Sequence, residues 1–86
     1  MQHNKTYTLA ELQAEVRAEM GRNRHTQEQA ATLGKASRSF FNRALNATEY
    51  EAGKVKALTT YLHATTGFSV RVEMTYRALR DDTARA

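Results

Sequence analysis

TQEQAATLGKASRSFFNRALN, residues 26 to 46, reads as two short helices joined by a glycine-started turn. Thr26 with Gln29 is a capping box, in which hydroxyl and amide satisfy each other's exposed backbone donors and so start a helix. Ala30 and Leu33 give that helix its inward side. Gly34 suits the left-handed position that ends a helix, and Ser37 is placed to cap a second one, whose apolar residues Phe41, Ala44 and Leu45 recur at helical spacing. A short helix, a tight turn and a second helix is the build of a helix-turn-helix.

Charge is concentrated on the same segment. Residues 22 to 46 hold Arg22, Arg24, Lys35, Arg38 and Arg43 against Glu28 alone, while basic and acidic groups balance over the rest of a chain whose formal net charge is +4. A basic patch confined to one motif is the electrostatic footprint of a surface that meets phosphates. Two amphipathic helices around a glycine also occur in helical domains of any function, with the arginines on a solvated face.

Working outward, Thr8 with Glu11 forms another capping box. Leu9, Leu12, Val16 and Met20 then follow on one helical stripe, with Gly21 as the expected stop. Glu11, Glu15 and Glu19 form a solvated acidic stripe on another face. Before them, Met1 to Tyr7 read as a frayed terminus, with Lys5-Thr6-Tyr7 as a weak strand candidate. After the central motif, Thr48 and Glu51 make a third capping box opening a helix lined by Val55, Leu58, Tyr61 and Leu62 and ending at Gly67. Gly53 lies inside that helix, either at a close helix contact or simply tolerated. Lys54 and Lys56 read as solvated lysines within reach of a phosphate.

The period then changes from 3.6 to 2. Phe68, Val70, Val72, Met74 and Tyr76 alternate with polar residues, which predicts a strand over 68–79 and a tail over 80–86. A lone strand leaves its backbone groups unpaired; apart from a weak internal candidate at Lys5 to Thr8, the expected partner is the same strand of a second copy, antiparallel across a two-fold axis. The whole chain, 1–86, is expected to be one domain of 86 residues, with residues 8–67 as its helical core.

With no Cys, disulfides and cysteine metal sites are excluded. His3, His25 and His63 have no metal-ligand spacing, and no glycine loop cradles a phosphate. No cofactor or metal is expected, and an enzyme is not. Nothing resembles a signal peptide or a membrane span, so the expected setting is cytoplasmic.

Residues 8 to 67 resemble the Xre/Cro family of phage and bacterial helix-turn-helix repressors, through Ala30-x-x-Leu33-Gly34 and Ser37-Arg38-Ser39-x-Phe41-x-Arg43-Ala44. A last helix running into one C-terminal strand, Leu58 to Met74, also resembles small Cro proteins and HigA-type antitoxins that dimerise through that region. One departure is that Lys35 and Ala36 stand where the family usually places a single apolar residue. The resemblance implies a mainly α, lambda-repressor-like domain of four to five helices, acting as a homodimeric repressor on a palindromic operator in double-stranded DNA. An antitoxin that represses its own promoter and a protein-interaction adaptor are the alternatives; a toxin partner is not favoured.

If the second helix of the motif enters a major groove, its N-terminal residues meet base edges first. Its outward face carries Ser39, Asn42, Arg43 and Asn46, with Arg38 at the forward edge. Arg38 suits guanine O6 and N7, and Asn42 suits adenine N6 and N7. Gln27 resembles the family's backbone-contacting residue, and Arg22, Arg24 and Lys35 are assigned to phosphates. Arg43 has the alternative of a salt bridge to Glu28 or Glu49. Phe40 has two readings, core packing or contact with a thymine methyl group.

Overall fold

The computed structural model describes residues 6–73. The elements follow as β1 (Thr6–Tyr7), α1 (Leu9–Asn23), α2 (Gln27–Leu33), α3 (Arg38–Leu45), α4 (Ala52–Thr66) and β2 (Arg71–Val72). The chain is mainly helical, and no described helix is long and apolar enough to cross a membrane.

Two helix starts follow the local sequence closely. Thr8 Oγ1 accepts the Glu11 amide at 3.1 Å while Glu11 Oε1 accepts the Thr8 amide at 3.0 Å. Thr26 and Gln29 repeat the exchange at 3.1 and 2.8 Å. Ser37 caps α3 by accepting the Phe40 amide at 3.1 Å. The third box does not form: α4 begins only at Ala52, and Glu51 is its cap residue without a side-chain cap bond. Glu51 instead pairs with Lys54 at 3.2 Å, one turn into the helix, so Thr48 is left in the connection before it.

The helix ends differ from expectation more often. Helix α1 runs through Gly21, and Arg24 takes the left-handed conformation at φ 55°. His25 and Arg24 amides then bond back to Met20 and Gly21 carbonyls, the paired closure of a Schellman end. Helix α2 closes in the same way, with the Ala36 amide on Ala31 and the Lys35 amide on Thr32. Here Lys35, at φ 59°, is the left-handed residue, while Gly34 has an ordinary φ of −82°. Gly34 is needed for another reason. A Cβ on it would lie 2.7 Å from the Ala57 carbonyl oxygen and 3.0 Å from Phe41 Cε1, so its lack of side chain lets the turn settle against α4. Only Gly67, at φ 81°, ends its helix as anticipated.

The core joins all four helices. Leu12 and Val16 of α1, Ala30 and Ala31 of α2, Phe41 and Ala44 of α3, and Leu58, Tyr61 and Leu62 of α4 are buried. Phe41 meets the Tyr61 ring edge-on at 5.9 Å between centroids, a favoured aromatic geometry. His25 also meets Tyr61, their Nδ1 and Oη sharing a hydrogen bond of 2.8 Å. Gly53 is merely tolerated, since a Cβ there would make an ordinary 3.7 Å contact with Phe40.

The strand prediction requires correction. Residues 68 to 70 are not in a strand, Phe68 is 38% exposed, and β2 covers Arg71–Val72. Its partner is in the same chain: Thr6 pairs with Arg71 and Tyr7 with Val72, in parallel, and the Glu73 amide donates to the Tyr7 carbonyl at 2.6 Å. Thr6 and Tyr7 are therefore not a frayed end; Tyr7 is buried, and Val70 and Val72 pack partly against the same core. The edge of β2 away from β1 carries no strand among the described residues. Met74, Tyr76 and the tail lie outside the described residues.

The acidic stripe of α1 is also not uniformly solvated. Glu19 is 8% exposed and accepts hydrogen bonds from Arg22 Nε at 3.0 Å and Asn23 Nδ2 at 3.0 Å. Burial raises its pKa, but the bonds from Arg22 and Asn23 and the Arg22 charge outweigh that, leaving it below the ordinary carboxylate value.

Candidate nucleic-acid interface

Helix α3 is held from behind and presented in front. Phe41, Ala44 and Leu45 are its buried side. Two polar side chains of α1 grip its C-terminal end. Gln13 Nε2 donates to the Ala44 and Ala47 carbonyls, both at 2.9 Å, and Arg17 Nη2 donates to the Leu45 carbonyl at 2.7 Å and to Asn46 Oδ1 at 3.2 Å. The last carbonyls of a helix lack internal partners and carry its negative dipole end, so an amide and a guanidinium are well matched to them. Neither Gln13 nor Arg17 stands out in sequence, because their partners lie about thirty residues away.

The outward side carries Arg38, Ser39, Asn42 and Arg43, all exposed. With Gln27 they line one shallow depression of about 510 Å³. Asn42 Nδ2 donates to Gln27 Oε1 at 3.1 Å, joining the first residue of α2 to the middle of α3. Arg43 Nη1 donates to Ser39 Oγ at 2.8 Å, and its guanidinium lies 5.8 Å from the Phe40 ring centroid. Phe40 itself is partly buried against the core. Asn46 belongs to the support: it accepts from Arg17 and donates to the Asn42 carbonyl at 2.9 Å.

The remaining predicted cations divide. Arg24 and Lys35 occupy the left-handed ends of α1 and α2 and are exposed. Along with Arg38 they make no ion pair among the described residues. Arg22 does not join them, because the last turn of α1 commits it to Glu15 at 3.1 Å and to Glu19. The Glu15, Glu19 and Arg22 spacing of four and three residues on one helix was the signal for this pairing, hidden by the expected stop at Gly21. Ser37, exposed and capping α3 through Oγ, stands at the N-terminal mouth of that helix.

No group of three or more His, Cys, Asp or Glu among the described residues is arranged to hold a metal. The chain matches no known protein family, no curated protein and no solved structure.

Proposed function

We propose that this chain is a sequence-specific DNA-binding repressor of the Cro or repressor kind, reading a palindromic operator as a homodimer with α3 in the major groove. The observation that carries the reading is the outward face of α3, where Arg38, Ser39, Asn42 and Arg43 stand together with Gln27 and Asn42 is held by Gln27. An arginine fork and a carboxamide are the side-chain types suited to guanine and adenine edges, and a braced carboxamide loses less freedom when it meets a base. The exposed Arg24 and Lys35 supply sequence-independent attraction to phosphates. Pairing of two copies draws on the β2 edge opposite β1, and places two copies of α3 about 34 Å apart for successive major grooves.

The test is selection of bound duplexes from a random pool, followed by fluorescence anisotropy on the enriched sequence over a salt series. The expected result is a two-fold symmetric site and a log K against log salt slope of roughly −5 to −9, for about three to five phosphates per subunit. No enrichment and a slope near zero would refute the reading.

A further inference from the structure

A second depression, of about 610 Å³, lies between the 34–37 turn and α4. Arg43 lines both it and the depression in front of α3, so the two adjoin. Every charged residue in its lining is a cation: Lys35 from the turn, Arg43 from α3 and Lys56 from α4. Ser37 and Thr60 add hydroxyls. Ser37 Oγ already accepts the Phe40 amide, which leaves its proton to donate outward. The N-terminal, positive end of the α3 dipole opens into the same space.

The three cations are differently prepared. Arg43 is oriented by Ser39 and by the Phe40 ring beneath it. Lys35 and Lys56 make no ion pair among the described residues, whereas Lys54, two positions from Lys56 and outside this lining, is tied to Glu51. Three positive side chains and two hydroxyls without a carboxylate form a donor-rich cleft, of a size suited to a small ligand. Such a lining fits an anion rich in acceptor oxygens and penalises cationic ligands.

We propose that this cleft binds a phosphate group, with Lys35 and Lys56 supplying charge and Arg43 and Ser37 supplying directed hydrogen bonds. Two carriers share that chemistry, the phosphodiester of a DNA backbone and the phosphate of a small ligand. The inference rests on the cleft and its charges, so it and the operator reading fail separately.

The experiment follows backbone amide resonances of the full chain during titration with pyrophosphate at constant ionic strength, alongside salt-dependent binding of a non-specific duplex. Wild type, Lys56→Gln and Lys54→Gln are compared. If the occupant is DNA, Lys56→Gln makes the salt slope shallower by about one unit per bound subunit and Lys54→Gln does not, with or without pyrophosphate shifts. If it is a small phosphate ligand, pyrophosphate moves the amides of Gly34 to Ser37 and of Gly53 to Ala57, Lys56→Gln weakens that binding about tenfold, and the duplex slope stays unchanged. The proposal is overturned if pyrophosphate shifts nothing there and the two lysine variants bind duplex alike, or if its shifts spread over all basic residues and respond equally to both variants. Should wild type bind no duplex at all, the operator reading falls and the pyrophosphate titration alone decides the cleft.

Discussion

Gln27 Oε1 accepts a hydrogen bond from Asn42 Nδ2 at 3.1 Å, which ties the start of α2 to the exposed centre of α3. A side chain proposed to touch the backbone and one proposed to read a base thus act as a unit. Asn42→Ala is expected to cost about 1 to 3 kcal/mol on the operator while leaving non-specific binding nearly unchanged. Gln27→Ala should lose part of the same energy, and the double variant less than the sum. Anisotropy on a double-mutant cycle measures the coupling, and strict additivity would show that the bond has no part in recognition.

The turn offers a paired test of two adjacent residues. Gly34→Ala forces a Cβ against the Ala57 carbonyl and Phe41 and should destabilise by about 1 to 3 kcal/mol. Lys35→Gly relieves a left-handed non-glycine residue and should stabilise by about 1 kcal/mol, while weakening binding to all duplexes alike. Thermal melts of the two variants are expected to move in opposite directions.

Gln13→Leu removes the short donor shared by the Ala44 and Ala47 carbonyls, leaving Ala44 only with backbone bonds such as the 3.5 Å one from the Ala47 amide. A loss of about 1 to 3 kcal/mol in chemical denaturation is expected, together with faster amide exchange at the C-terminal end of α3. A Gln13→Leu protein as stable as wild type would show that other groups take up those carbonyls.

Stability should fall at both ends of the pH scale. The Glu19 carboxyl has a lowered pKa in the folded chain, so its contribution is complete above the ordinary value of about 4.3 and is lost as pH falls through the depressed one. The Tyr7 phenol is pushed up by burial and then by the charges of Glu15 and Glu11, and burial also raises Tyr61. Their contribution is complete below about pH 10 and is lost as pH rises through the raised values. Denaturant midpoints against pH check both limbs, and Glu19→Gln should flatten the acid one.

Legibility followed the range of the interaction. Thr8 with Glu11, Thr26 with Gln29 and the Ser37 cap depend on partners three residues away and are readable in the sequence, although the equally local Thr48 and Glu51 form no box because α4 starts only at Ala52. The helix ends are not readable in this way. Gly34 carries the usual sign of a left-handed closure, yet its requirement is set by Ala57 and Phe41, and a lysine takes the strained position instead. The exposed face of α3 was readable from periodicity, whereas its fixation by Gln13 and Arg17 was invisible because no local pattern marks a helix that clamps another thirty residues on. A charge count has no geometry and so groups Arg22 with the phosphate ligands, whereas one further turn of α1 commits it to Glu15 and Glu19.

The clasp of Tyr7 with Val72 also sets an order of events in time. A ribosome makes Tyr7 early and Val72 only after all four helices have been synthesised, so the slot beside Tyr7 stays empty while they assemble. Closing so long a loop is slow unless the intervening chain is already ordered. The helical core is therefore expected to form before its sheet, with the clasp the last part to close and the first to open. The Glu73 amide, whose acceptor is the Tyr7 carbonyl, should exchange its hydrogen with solvent well ahead of the amides of Leu58 and Leu62 in the middle of α4.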